Sequence, residues 1–168
     1  MAVSPHGPCV CTDRGELMSG DAAMRQFAAT APVPEFDDPA FAPLPVQLSE
    51  ATVAIVTSAA LHREHDEQFT AGDTSYRTLE RTDRNFTLGH WSPNFDRTGF
   101  QLDLNVVYPI DRLEELAGDG TIGSVAEHHY SFAGNQPDTV SELRLDTGPA
   151  CAAAMQADGV QVVLLTPV

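Results

Sequence analysis

Basic residues are scarce in this 168-residue sequence: nine Lys and Arg stand against 24 Asp and Glu, a formal charge of −15. Phosphate backbones and anionic lipid surfaces repel such a chain on average, which excludes nucleic acid and charged membrane surfaces as natural partners. No apolar run approaches the roughly 20 residues needed to cross a bilayer. Met1 to Asp13 lacks the charged start and long apolar stretch of a signal peptide, so a cytoplasmic location is the expectation. Cysteine is short as well. Three residues, an odd number, build no disulfide framework and are expected as free thiols in a reducing compartment. Cys9 and Cys11 form a C-x-C pair, yet no third or fourth thiolate lies nearby and His6 alone leaves a zinc site one ligand short. Cys151 stands in an alanine-rich helical stretch and is expected as a buried structural thiol. No metal and no bound cofactor is assigned.

What is present, 42% hydrophobic residues over this length, suits one ordinary domain with a real core. Residues 1–45 are rich in Pro, Ala and Gly and read as an arm, with Gly20 to Thr30 its one short helix. Its prolines lack amide donors, so Pro32 to Pro45 is expected to lie extended, anchored by Phe36 and Phe41. Residues 46–168 read as an α/β domain, a parallel or mostly parallel sheet flanked by helices. Ala51 to Ser58 is a short, β-branched apolar run that reads as a central buried strand. Ile110, Leu113 and Leu116–Ala117 share one helical face, with Pro109 at its start and Gly118 at its stop. His128 to Phe132 looks extended, followed by a turn at Gly134–Asn135. A helix from about Thr147 to Ala157, with Pro149 early in it, leads through Asp158–Gly159 into a strand from Val160 to Leu165. Sheets of this kind bind ligands at the carboxyl ends of their strands, which here are Thr57–Ser58 and Thr166–Pro167.

Between Leu61 and Asn105 no helical period is evident, and His62, His65, Asp73, His90, Asp96 and Asp103 gather there with Tyr76, Trp91 and Phe95. A long stretch without clear elements is often a functional loop region. Its histidines and carboxylates, with His128 and His129, offer acid–base groups or a metal site, though His-x-x-His on a loop is weak evidence for zinc without a third ligand. The plainer explanations stand beside this one. His62 to Asp66 reads as solvated loop, Asp103 and Asn105 as a turn held by side-chain to backbone bonds, and Trp91 as a packing anchor. Asp111 reads as favourable first-turn charge, completing with Glu114 a capping-box-like pattern.

Three ordered blocks carry a family resemblance. Leu48 to His62, then Asp103-Leu104-Asn105-Val106-Val107-Tyr108-Pro109-Ile110-Asp111-Arg112-Leu113 with Gly120, Ile122 and Gly123, then Ala157 to Val168, resemble the opening strand, the D-x-N-x-V-x-P-x-D-x-L and I-G elements, and the final strand of component B of the glycine, betaine, sarcosine and proline reductases. The resemblance spans Pro43 to Val168. It implies an oxidoreductase subunit whose selenol or thiol attacks a small amine or amino-acid substrate and passes the fragment to partner reductase subunits. It places His90, Asp96 and Asp103 ahead of the other candidates as catalytic residues, because they lie in or near the matched blocks. It also implies a selenocysteine or cysteine directly after the last strand, a residue this chain does not contain. A chalcogen there can be polarised by the amides of a following helix. One departure is that relatives often carry His-x-His before an aromatic and an Asp. This chain has His90 alone ahead of Phe95 and Asp96, so a site needing both histidines is not carried over.

On this reading the chain is the front half of a domain, cut before its redox residue. A UGA codon read as stop, a natural short paralogue and a split protein whose second half is another chain all remain open. A non-catalytic binding or accessory protein is the alternative function.

Overall fold

A computed structural model describes residues 20–30, 42–90, 95, 97–134, 136 and 141–168, and the chain divides into two compact units, 1–42 and 43–168. In the first, α1 (Gly20–Thr30) is the expected helix, and the Thr30 hydroxyl donates to the Gln26 carbonyl at 3.0 Å. Phe36, Phe41, Cys9 and Cys11 lie outside the described residues.

The second unit is α/β. Its central strand β1 (Thr52–Thr57) is largely buried and is paired on both sides. Elements β2 (Leu61–His62), β3 (Tyr76–Glu80), β4 (Thr87–Leu88), α2 (Arg97–Leu102), α3 (Ile110–Gly118), β5 (Ser124–Val125), β6 (His128–Phe132), α4 (Gly148–Ala157) and β7 (Val162–Thr166) follow in order. β7 runs parallel to β1 from Val53↔Val162 to Thr57↔Thr166, so the two apolar runs share one parallel sheet as their composition predicts. On the other side β5 and then β6 run parallel to β1, and β3 closes that edge antiparallel to β6. The sheet is mostly parallel with one antiparallel edge.

β5 and β6 behave as one interrupted strand. Between Val53↔Val125 and Val56↔Tyr130, β1 advances three residues while its neighbour advances five, a bulge that lets in two extra residues. Val53 still accepts from the Ala126 amide at 2.9 Å, but the next inward-facing amide, Ile55, donates to the Nδ1 of His129 at 2.9 Å. A side chain thus completes the ladder of the central strand.

Strand alternation sends Val53 and Ile55 to the same face as Leu79 and Val125, where α3 lays Ile110 and Leu113 on them and Tyr108 and Ile122 fill the margins. Each of these buried aliphatic side chains stabilises the unit by about 1.5–3 kcal/mol. The opposite face carries Tyr76, Tyr130 and Phe132 in edge and tilted ring contacts 5.5 Å apart. β7, expected to be buried, is an edge among the described residues: Leu165 is 67% exposed and Val163 and Leu164 about half as much.

Two further expectations are revised. The stretch from Leu61 to Asn105 is not loop throughout, since β2 pairs antiparallel with β4 and β3 joins the main sheet. Two-residue strands are too short for a period to register, and β3 buries only Leu79. Nor do Asp111 and Glu114 form a capping box. The Asn105 Oδ1 accepts the Asp111 amide at 3.0 Å, while Glu114 holds the Arg81 guanidinium in a two-pronged ion pair at 2.7 Å. No helix among the described residues is long and apolar enough to cross a membrane.

Candidate active site

β1 and β7 end side by side, and their carboxyl ends are bonded together. The Ser58 amide donates to the Thr166 carbonyl at 3.2 Å, and the Val168 amide donates to the Ser58 hydroxyl at 2.9 Å. The same hydroxyl lies 3.3 Å from the Val168 oxygen. The Nε2 of His90 meets that oxygen at 3.2 Å, so the imidazole and the serine hold Val168 from two sides.

His90 is buried and its own surroundings fix it. Its ring stacks on Phe95 with centroids 4.6 Å apart, and its carbonyl accepts from the Arg97 Nη2 at 2.6 Å. Gly134 lies so close that a Cβ there would sit 2.5 Å from the His90 Nε2 and 2.7 Å from the Ser58 carbonyl oxygen. Only glycine leaves room for the ring. Burial pushes the His90 pKa below the ordinary imidazole value; the Val168 carbonyl works the other way, and the Arg97 charge adds to the lowering. The lowered pKa favours the neutral ring, and with Nε2 donating to the Val168 oxygen its proton sits on that nitrogen.

Beside His90 opens a recess of about 290 Å³, lined among the described residues by His62, Gln68, Phe69, Thr87, Arg97 and others. His62 is buried, its Nδ1 3.2 Å from the Ala60 carbonyl and its ring edge-on to Phe69. Ala60 takes a left-handed φ of 54°, a conformation that non-glycine residues seldom adopt and that turns the chain sharply from β1 into β2. A smaller apolar hollow of about 150 Å³ lies against Thr57, Phe132 and Pro167 at the same end of the sheet.

Of the three leading candidates, His90 is in this site. Asp96 lies outside the described residues. Asp103 is exposed and takes no part in lining the recess. Its Oδ1 accepts from the Asn105 amide and side chain at 2.9 Å each, and those bonds hold its carboxyl below the usual range. His65 is exposed near Asp66. His128 sits at the amino end of β6, away from Val168, with its Nδ1 2.7 Å from Asp158. Burial pushes the Cys151 thiol up to about 11. Among the described residues no three His, Cys, Asp or Glu side chains converge as metal ligands. Arg97 was not singled out by the sequence, because its distinction lies in its surroundings and not in its type or spacing.

Comparison with known proteins decides the family. The model of the glycine/sarcosine/betaine reductase selenoprotein B family matches residues 16–168. The chain belongs to this family. Among curated relatives it is 32% identical over 137 residues to the D-proline reductase subunit gamma of Acetoanaerobium sticklandii, covering 80% of this chain and 55% of that protein. It is 28% identical over 148 residues to the glycine reductase complex component B subunit gamma of Carboxydothermus hydrogenoformans, 83% of this chain and 33% of that one. It is likewise 28% identical over 149 residues to the sarcosine reductase complex component B subunit beta of Peptoclostridium acidaminophilum, 84% of this chain and 33% of that protein. The matched stretch thus spans about half the length of the first relative and a third of the other two. No solved structure matches the chain.

Proposed function

We propose that this chain builds the front wall of a reductase active site in which a selenolate or thiolate, placed directly after Val168, attacks a small amine-bearing carboxylic acid such as glycine, sarcosine, betaine or proline. The observation that carries this is the grip of His90 and Ser58 on Val168 at the joined carboxyl ends of β1 and β7. A residue following Val168 would begin within reach of a neutral, buried imidazole and at the mouth of a small recess. In the chemical step a chalcogen–carbon bond forms at the α-carbon as the carbon–nitrogen bond breaks, and the electron pair leaves on the amine. The substrate's ammonium nitrogen becomes a neutral amine, released or, for proline, still tethered through the opened ring, so the charge balances without a further proton. The carbon fragment then passes to partner subunits of the complex, whose dithiol chemistry recycles the chalcogen. His90 positions Val168. Asp103 serves the turn before α3, and Asp96, next to Phe95 in the sequence, is a second candidate for the site.

Mass spectrometry of peptides alkylated with iodoacetamide at graded pH tests this on a chain continued to the length of its relatives, with selenocysteine or cysteine after Val168. The expected result is one fast-reacting, low-pKa nucleophile at that position. Fast reaction at Cys9, Cys11 or Cys151 instead places the redox centre elsewhere. The 168-residue chain by itself is expected to show no turnover.

A further inference from the structure

Most arginines in the described part of this acidic unit have carboxylate partners; Arg144, exposed just ahead of α4, has none among the described residues. Arg63 pairs with Asp66 and Asp83, Arg77 with Asp73, Arg81 with Glu114, Arg84 with Asp111 and Arg112 with Glu115. Arg97, on the wall of the recess beside His90, has no such partner among the described residues. Its Nη2 is tied to the His90 carbonyl at 2.6 Å, which anchors the guanidinium plane, and the other edge of that plane is engaged by no described carboxylate. Two buried imidazoles, His62 and His90, line the same space, and no described Asp or Glu does. A chain of net charge −15 therefore encloses one small recess whose local charge is positive.

We infer that this recess is a carboxylate subsite in which Arg97 receives the substrate's carboxyl group and the Gln68 side-chain amide adds a second donor. A guanidinium presents its donors as a rigid fork that matches two carboxylate oxygens, and an anchored one loses less freedom on binding. The side-chain amide of Gln68 suits the second contact to the carboxyl group, and His62 faces the substrate's amine end. The His62 Nδ1 donates to the Ala60 carbonyl, so its other nitrogen is left as an acceptor for a donor on the ligand. The volume of about 290 Å³ is ample for a compact amino acid. The choice of ligand rests on the reductase reading, whereas the positive charge belongs to the recess whatever the reaction.

Isothermal titration of the full-length protein with glycine, sarcosine, betaine and proline, each against its carboxamide, tests the subsite separately from the chemistry. The acids that bind should outcompete their amides, and Arg97→Gln should weaken acid binding about 10- to 100-fold while leaving amide binding unchanged. Arg97→Lys, which keeps the charge and loses the fork, should fall between. Melting curves of both variants establish that they are folded, and the lysine variant alone suffices if the glutamine variant is not. Acids and amides binding equally, or acid binding unaltered in a folded Arg97 variant, overturns the subsite. Acid-selective, Arg97-dependent binding in a protein without a reactive chalcogen after Val168 would leave the subsite standing and remove the reductase assignment.

Discussion

The backbone amide of Ile55 donates to the Nδ1 of His129 at 2.9 Å, so an imidazole stands in for a strand carbonyl at the bulge between β5 and β6. The bond requires the lone pair on Nδ1 and leaves the proton on Nε2, a buried atom without a partner among the described residues. Protonating Nδ1 sets two donors face to face. Burial, with the charges of Arg81 and Arg84 adding to it, pushes the His129 pKa down to about 4.

Stability should therefore fall on mild acidification. In the unfolded chain His129 titrates at an ordinary value of about 6.5, so above that pH both states are neutral and the native state keeps its full stability. Between about 6.5 and 4 the unfolded state binds the proton first, and the loss, about 3 kcal/mol, is complete below the folded pKa. His90 contributes with the same sign, because its pKa is also lowered. Urea midpoints of wild type and His129→Gln from pH 7.5 to 4 check this: the glutamine keeps an acceptor for Ile55, and its curve should be flatter. Parallel curves would show that the imidazole does not titrate as described.

Gly134→Ala and Gly118→Ala should part company. A Cβ at 134 meets His90 and the Ser58 carbonyl, whereas at 118, the last residue of α3, nothing lies within 4 Å. The first substitution is expected to cost about 1–3 kcal/mol and to displace the His90 ring. The second is expected to be neutral or to stabilise by up to about 1 kcal/mol. Melting curves, with the NMR shifts of the His90 ring, distinguish the two effects.

Asn105→Ala should fray the start of α3. Its side chain accepts the Asp111 amide at 3.0 Å and donates to both Asp103 and Asp111 at 2.9 Å, and no side chain of Pro109 can cap the helix. A cost of about 1–2 kcal/mol follows from the loss of a cap, and hydrogen exchange should accelerate first at residues 110–113.

Cys151 should resist alkylation in the folded protein. Its thiol is buried and its pKa raised to about 11, so near pH 8 the reactive thiolate is on the order of a hundredfold rarer than in an ordinary cysteine. Iodoacetamide labelling before and after urea should give slow and fast modification respectively. Equal rates would mean that α4 does not bury this residue.

The parts of the fold that were legible in the sequence are those in which one local signal suffices. β1 and β7 announce themselves as apolar β-branched runs, and α3 by its face of Ile110 and Leu113 between Pro109 and Gly118. β3 was hidden because its neighbour β6 pairs it through Arg77 and Glu80 as readily as through Leu79. Glu114 looked like part of a cap because it stands three residues after Asp111. Its partner Arg81 lies 33 positions earlier, beyond any local pattern. The site divides in the same way. His90 was marked by its place near a matched block, and the Asp103–Asn105 turn by its spacing. Arg97 stands out only once the recess it lines and the carboxylates bound to Arg63, Arg77, Arg81, Arg84 and Arg112 are located.

The pairing of β1 also bears on how the chain reaches this state. Thr57 and Thr166 are neighbours in the sheet but 109 positions apart in sequence, and β5 and β6 on the other side come from beyond position 123. During synthesis the hydrophobic six-residue segment from Thr52 to Thr57, without a charge or a proline, emerges long before any strand that will cover it. Closing such long loops is slow, and a bare segment of this composition is able to pair with copies of itself. The strand that organises the finished sheet is thus the segment most exposed to misassembly in the nascent chain, and yield at low temperature or with a holding chaperone should exceed yield under rapid expression.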